Sequence, residues 1–272
     1  MSGPSAIMTL MQAAARKASR GLLRDFGEVE QLQISRKGPA DFVSRADKKA
    51  EKVLYEELSK ARPGYSFLME EAGEIEGSDK THRFIIDPLD GTTNYLHGIP
   101  HFAISIALER EIDGNPKEVV AGLIYNPITD EAFFAEKGRG AFVNDGTRGG
   151  TDRRLTAGRR DVFSNALFAT GIPFLGRPGH TKFLKELHQV MGASSGVRRM
   201  GAASLDLAWT AAGRYDGFWE RGLAVWDIAA GVLICQEAGL IVESLSGGDV
   251  MDTGDIIVCN EALMGQLKTK IA

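Results

Sequence analysis

The sequence predicts a layered α/β sandwich. Three observations carry this: helical and strand-like segments come in mixed blocks, apolar residues make up 43% of the 272 positions, and no internal repeat, low-complexity tract or linker divides the chain. That length and apolar content suffice for a sizeable core, as one large domain or two closely joined halves. The expected division puts residues 1–145 in an N-terminal α+β half and residues 146–272 in a C-terminal α/β half, packed as one unit.

Each element follows from its local pattern. Ile7, Leu10, Met11, Ala14, Ala18 and Leu22 recur at helical spacing opposite Arg16, Lys17, Arg20 and Arg24, so a first helix is expected. A basic, acid-poor amphipathic segment is also how an organelle transit peptide reads. Here it runs straight into structured sequence without a cleavage-like segment, which favours a docked helix. Leu32-Gln33-Ile34 alternates as a short strand, and Arg36-Lys37-Gly38-Pro39 reads as an exposed basic turn able to reach over a site. Ser44 and Asp47 form a capping pattern ahead of a helix that turns Ala50, Val53, Leu54 and Leu58 inward and stops at Pro63-Gly64.

Ser66 to Met69 reads as a strand delivering Glu70-Glu71 at its end, and Phe84-Ile85-Ile86 as another delivering Asp87. Strands over Phe102 to Leu108, Val119 to Tyr125 and Ala132 to Ala135 follow, with turns at Asp113-Gly114, Asn126-Pro127 and Asn144-Asp145-Gly146. Helices are expected near Thr181 to Met191, Ala202 to Ala212 and Ile228 to Ala238, the last ending at Gly239. Ile241-Val242 and Ile256 to Cys259 read as buried strands.

Composition narrows the function classes. With 32 basic and 36 acidic residues interspersed, the net charge of −4 offers no whole-molecule positive field for nucleic acid. Cys235 and Cys259 each sit in an apolar run without zinc-like spacing, so buried, reduced thiols in a cytoplasmic protein are expected. No apolar stretch approaches the ~20 residues of a membrane span. Gly138-x-Gly140 lacks the third glycine of a dinucleotide fingerprint, no Gly-Lys-Ser/Thr phosphate loop occurs, and the five histidines are scattered and read as structural.

The densest chemical signal is Asp87-Pro88-Leu89-Asp90-Gly91-Thr92-Thr93-Asn94. Pro88 holds Asp87 extended while Gly91 lets the backbone turn sharply, so Asp87 and Asp90 can converge on one side. Two carboxylates held together repel unless a cation lies between them, and hard oxygen donors without histidine or thiolate favour Mg²⁺. If Gly91 to Asn94 opens a short helix, the N–H groups of Gly91 and Thr92 make an anion site beside the metals.

With Glu70-Glu71 upstream and Trp226-Asp227-Ile228-Ala229-Ala230-Gly231 downstream, this octet resembles the inositol monophosphatase family over essentially the whole chain. Gly138 to Asn144 and Gly201 to Ala208 share the resemblance. It implies an αβαβα sandwich of the sugar-phosphatase type, lithium-sensitive chemistry with two or three Mg²⁺ per subunit, and a homodimer. By motif, Glu70, Asp87, the Leu89 carbonyl, Asp90 and Asp227 match metal ligands. Asp227 equally suits the N-cap of the helix expected from Ile228, and a carboxylate has lone pairs for both duties. Asp47 and Thr92 match a pair that positions the attacking water, with Glu70 as the third catalytic candidate, although Asp47 also fits its capping box. Gly91, Thr92, Gly201, Ala202, Ala203, Glu220 and Asp227 match substrate-contacting positions, the alanines equally suiting helix packing. Arg198-Arg199 is expected at the surface or a subunit contact.

The resemblance implies hydrolysis of a small phosphate monoester, inositol 1-phosphate foremost. Fructose 1,6-bisphosphate, a nucleotide 3′-phosphate or NADP are the alternatives within the same chemistry. A partner in an RNA or transcription assembly, contacting it through Arg198-Arg199 or Arg153-Arg154, is the alternative of another class.

Overall fold

In the computed structural model, residues 3–26, 34–38, 41–111, 114, 116–146 and 151–272 are described, with backbone alone for 34–38 and 41–44. Their strands assemble into two large sheets and one small hairpin.

The first helix, α1 (Ala6–Asp25), starts where Ser5 Oγ accepts a hydrogen bond from Met8 N, and it buries Met8, Met11, Ala14, Ala18 and Leu22. Each large apolar side chain so buried contributes about 1.5–3 kcal/mol. A hairpin of β1 (Ile34–Gly38) and β2 (Asp41–Ser44) leads into α2 (Arg45–Ala61), which buries Ala46, Asp47, Ala50, Leu54 and Leu58. The expected basic turn at Arg36 to Gly38 is therefore a strand, because antiparallel pairing with Asp41–Ser44 takes up its backbone. Leu32, Gln33, Pro39 and Asp113 lie outside the described residues, as does the Ser44 side chain.

The first large sheet is built from β3 (Ser66–Met69), β4 (Gly73–Ile75), β5 (His82–Asp90), β6 (Ala103–Arg110), β7 (Glu118–Asn126), β8 (Glu131–Glu136), β9 (Gly140–Asp145) and β10 (Asp152–Arg154). Their spatial order is β10-β9-β8-β7-β6-β5-β3-β4. Only β3 and β5 run parallel, and their register sets Met69 beside Ile86. Between β5 and β6 comes the short helix α3 (Thr92–Leu96). The second large sheet orders β12 (Gly196–Arg198), β11 (Leu167–Thr170), β13 (Gly217–Glu220), β15 (Ile256–Cys259) and β14 (Ile241–Ser244). The remaining helices are α4 (His180–Met191), α5 (Ala203–Ala211), α6 (Val225–Glu237), α7 (Val250–Thr253) and α8 (Glu261–Lys270).

Burial defines the layers. One apolar cluster joins α1 and α2 to the eight-stranded sheet, a second places α5 and α6 between the sheets, and a third joins the five-stranded sheet to α4 and α8. The order is αβαβα, as expected. Cys235 and Cys259 are buried and unbridged. Among the described residues no helix is long and apolar enough to cross a membrane.

Helix α6 begins at Val225, three residues before the expected start. Asp227 is accordingly not its N-cap: it sits in the first turn with Oδ2 accepting from Ala224 N at 2.8 Å. Strands β2, β4, β9, β10, β11, β12 and β13 and helices α7 and α8 had no sequence-based expectation. The inner strands β11 and β13 are covered on both faces, which removes the alternation that marks a half-buried strand.

Candidate active site

Because β3 and β5 are parallel neighbours, their C-terminal ends deliver acids to the same edge of the sheet. Glu70 follows β3, its N–H donating to Ile86 O at 3.2 Å, and Asp87 follows Ile86 directly. Carboxylate oxygens of Glu70, Glu71 and buried Asp47, from the first turns of α2, all lie within 4.8 Å of one another. Glu71 N donates to the carboxylate of buried Glu51 at 2.8 Å, which ties this corner to α2.

The octet bends where β5 loses register with β6 between Asp87 and Asp90. Asp87 Oδ1 accepts from Leu89 N at 2.9 Å, an Asx turn across Pro88. Gly91 then takes φ +90, and a Cβ there would lie 3.0 Å from His101 O, so only glycine turns this corner without strain. Helix α3 starts at the next residue. Thr92 Oγ1 lies 2.9 Å from Leu89 O and 3.4 Å from Asp47 Oδ2. Its single proton serves one of them, leaving two lone pairs to accept.

The C-terminal half closes the site. Asp90 Oδ2 accepts from Ser204 N at 2.8 Å and from Ser204 Oγ, so an acid of the octet satisfies the N-terminus of α5, whose own N-cap, Ala202, has no acceptor. Asn94 Nδ2 donates to His101 O at 2.9 Å and Met200 O at 2.8 Å, holding the Gly201 corner against the octet. Glu220 ends β13, pressed so closely on Gly171 that a Cβ there would sit 1.8 Å from Glu220 Oε1.

These side chains share one cavity of about 300 Å³. Glu70, Asp87, Leu89, Asp90, Gly91, Thr92, Gly201, Ala202, Ala203, Glu220 and Asp227 all line it, and Asp47 meets it through Thr92 and Glu70. Through Gly171, Phe174, Glu220 and Asp227 it continues into a second cavity of about 520 Å³ bordered by Arg177, Lys182 and Arg221.

Crowding of acids shapes the electrostatics. Burial, then the charges of Glu70, Asp90, Asp227 and Asp47, push Asp87 well above the usual carboxylate range. Burial, Asp90, Glu70 and Glu220 do the same to Asp227, against the opposing bond from Ala224 N. Burial lifts Asp90 to about 6 despite the Ser204 hydrogen bonds that favour its anion. Burial and Asp90 lift Glu220 to about 8, with Arg199 and Arg177 pulling the other way. Each shift records first the cost of taking a carboxylate out of water and, for Asp87, Glu220 and Asp227, the further cost of facing other anions, and a divalent cation among them offsets both. No histidine or cysteine lines the cavity among the described residues, so its donors are hard oxygens and fit Mg²⁺ rather than a soft metal.

Two charged residues of the cavity were not among the sites expected from sequence. Arg199 is exposed as expected, yet its side chain borders the cavity, and buried Asp206 lines it from α5. Only the apolar spacing around Asp206, inside a helix buried on nearly all sides, hinted that an acid there faces something other than water. The histidines stay out of the cavity: His101 packs edge-on against Trp209 and burial lowers it to about 4, while His82 stacks on Tyr65.

Acids from two parallel strand ends, a helix N-terminus and a facing sheet, converging on one cavity of an αβαβα sandwich, define a phosphatase of the sugar-phosphatase architecture. The chain belongs to the inositol monophosphatase family, whose profile matches residues 5–272. It is 56% identical over 263 residues to the inositol-1-monophosphatase of Caulobacter vibrioides, spanning 96% of this chain and 99% of that protein. It is 37% identical over 272 residues to the Nus factor SuhB of Escherichia coli strain K12, spanning 98% and 97%. The crystal structure of the extragenic suppressor protein suhB from Bartonella henselae superposes with a TM-score of 0.91 at 54% identity, covering 98% of both chains.

Proposed function

We propose that this chain is a Mg²⁺-dependent phosphatase that converts inositol 1-phosphate to inositol and phosphate. The observation that carries the reading is one cavity lined together by the acids of the octet, Asp227, Glu220 and the small residues Gly201, Ala202 and Ala203. High identity to proteins named inositol-1-monophosphatase supports the substrate.

Glu70, Asp87, the Leu89 carbonyl, Asp90 and Asp227 would hold two or three ions. Bound there, Mg²⁺ supplies positive charge for the phosphate oxygens and makes water more acidic. Thr92 Oγ1 donates toward Asp47 and accepts from the attacking water, which aims a lone pair at phosphorus, and Asp47 with Glu70 draws off its proton. As the new P–O bond forms, the bond from phosphorus to the inositol oxygen breaks, and that oxygen leaves as the alcohol by taking up a proton from water in the cavity. The N–H groups of Gly91, the N-cap of α3, and of Thr92, its first residue, have no preceding helical turn to bond to and hold a phosphate oxygen. The small side chains at 202 and 203 leave room for a ring, and Glu220 accepts hydroxyl hydrogen bonds from it.

Phosphate release from inositol 1-phosphate, fructose 1,6-bisphosphate, adenosine 3′,5′-bisphosphate and NADP, with Mg²⁺ and with EDTA, tests both halves of the reading. Inositol 1-phosphate is expected to have the highest kcat/KM, with activity abolished by EDTA and inhibited by lithium. Another ester ranking first removes the substrate assignment, and full activity in EDTA removes the metal. A cytoplasmic homodimer completes the proposal; exposed Ile172, Phe174, Leu175 and Leu184 support the dimer, and sedimentation at twice the 29.4 kDa chain mass tests it.

Identity to proteins named Nus factor SuhB favours a second reading, a role in a transcription assembly. Salt-sensitive RNA retention by a preparation without phosphatase activity is the result that would put it first.

A further inference from the structure

Asp206 is a buried acid that the fold does not use. It sits in the first turn of α5, is 1% exposed, and its Oδ1 has no hydrogen-bond partner among the described residues. Its backbone is fully engaged: its N–H donates to Ala202 O at 3.0 Å, and its carbonyl accepts from Thr210 Oγ1 at 2.6 Å. Capping of α5 falls to Asp90, so the helix does not need a second acid here. A buried polar atom left unsatisfied is expensive, and a leucine or alanine would fill the same helical position without that cost.

What sets Asp206 apart from an unused core acid is its surroundings. Its side chain lines the same cavity as Glu220, Ala202 and Ala203. It feels the like charges of Glu220 and Asp90 and the opposing charge of Arg199, all three of which line the same cavity. A carboxyl group carries up to four lone-pair sites, and two of them on one wall match a ligand that brings several O–H donors at once.

We infer that Asp206 is a specificity-determining residue, pairing with Glu220 to accept hydrogen bonds from neighbouring hydroxyls of a polyol leaving group. The inference rests on the phosphatase reading above and deepens it: the preferred substrate is an ester whose alcohol carries adjacent hydroxyls. An aryl or simple alkyl ester leaves both carboxyls unmatched and is discriminated against, because a site built for hydroxyls loses those bonds without replacement.

The test compares kcat/KM for inositol 1-phosphate with that for 4-nitrophenyl phosphate, at saturating Mg²⁺, in the wild-type protein and in Asp206→Ala and Asp206→Asn. Loss of a hydrogen bond to a carboxyl predicts a fall of about tenfold or more in the inositol-to-aryl ratio for Asp206→Ala, expressed in KM. Asp206→Asn keeps one acceptor of the same shape and is expected to lose about threefold or more of the ratio. Activity on the aryl ester should stay within about twofold, which a merely structural role would not permit. Equal losses on both esters, an unchanged ratio in either folded variant, or a raised Mg²⁺ requirement for both esters overturns the inference. Should Asp206→Ala fail to fold, the ratio in Asp206→Asn decides. Wild-type protein that cleaves the aryl ester but no polyol phosphate removes the substrate reading itself. Wild-type preference for the polyol, unaltered in the variants, removes this inference alone.

Discussion

Glu220→Gln should stabilise the metal-free protein at alkaline pH and leave it unchanged in acid. Burial holds the Glu220 carboxyl at about 8 against an ordinary 4.5. A group raised on folding contributes stability that is fully present below its unfolded value and is lost as pH rises through its folded value, so the loss runs from about 4.5 to 8. At about 1.36 kcal/mol per pH unit the ceiling is about 5 kcal/mol. Glu220 keeps contact with solvent in the cavity, which brings the expected effect to about 2–3 kcal/mol. For a chain of this size that is a gain in Tm of roughly 3 to 6 °C at pH 9. Calorimetry in EDTA from pH 4.5 to 9 on both proteins measures it, and Mg²⁺ should shrink the difference by supplying the missing counter-charge. Melting curves that stay parallel across the whole pH range would refute the assignment of a strained, buried acid at this position.

Three further outcomes are expected. Asp90→Asn keeps an acceptor for Ser204 but removes one charge from the cavity, so turnover should fall by roughly 10²-fold or more with the far-ultraviolet spectrum intact; near-normal kcat at high Mg²⁺ would contradict the proposed ligand role. Thr92→Val removes the hydroxyl between Leu89 O and Asp47, and a loss of about 10- to 100-fold in kcat with little change in KM is expected from steady-state assays. Gly171→Ala would drive a methyl into Glu220, and it should raise KM for the polyol ester more than it lowers kcat; equal KM in variant and wild type would show that Glu220 does not touch the substrate.

The sequence by itself determined the local parts. Helical spacing predicted α1 and its buried face, the strand pattern predicted Glu70 at the end of β3, and Pro88 and Gly91 dictated the bend of the octet; Asp87, expected at a strand end, lies inside β5, which runs on to Asp90 because Asp87 and Asp90 both keep partners in β6. These are short-range effects, written in neighbouring residues through φ restriction, propensity and alternation. The tertiary structure decided what those parts meet. Asp90 caps a helix more than 100 residues away, Gly171 admits Glu220, and buried Asp206 and exposed Arg199 reach the same cavity. Local periodicity carries no information about such meetings, because a buried acid and a packed core residue look alike until the partner surface is known. The inner strands β11 and β13 escaped for a related reason: covered on both faces, they show no alternation, whereas β15, equally inner, was legible as the unbroken apolar run Ile256 to Cys259.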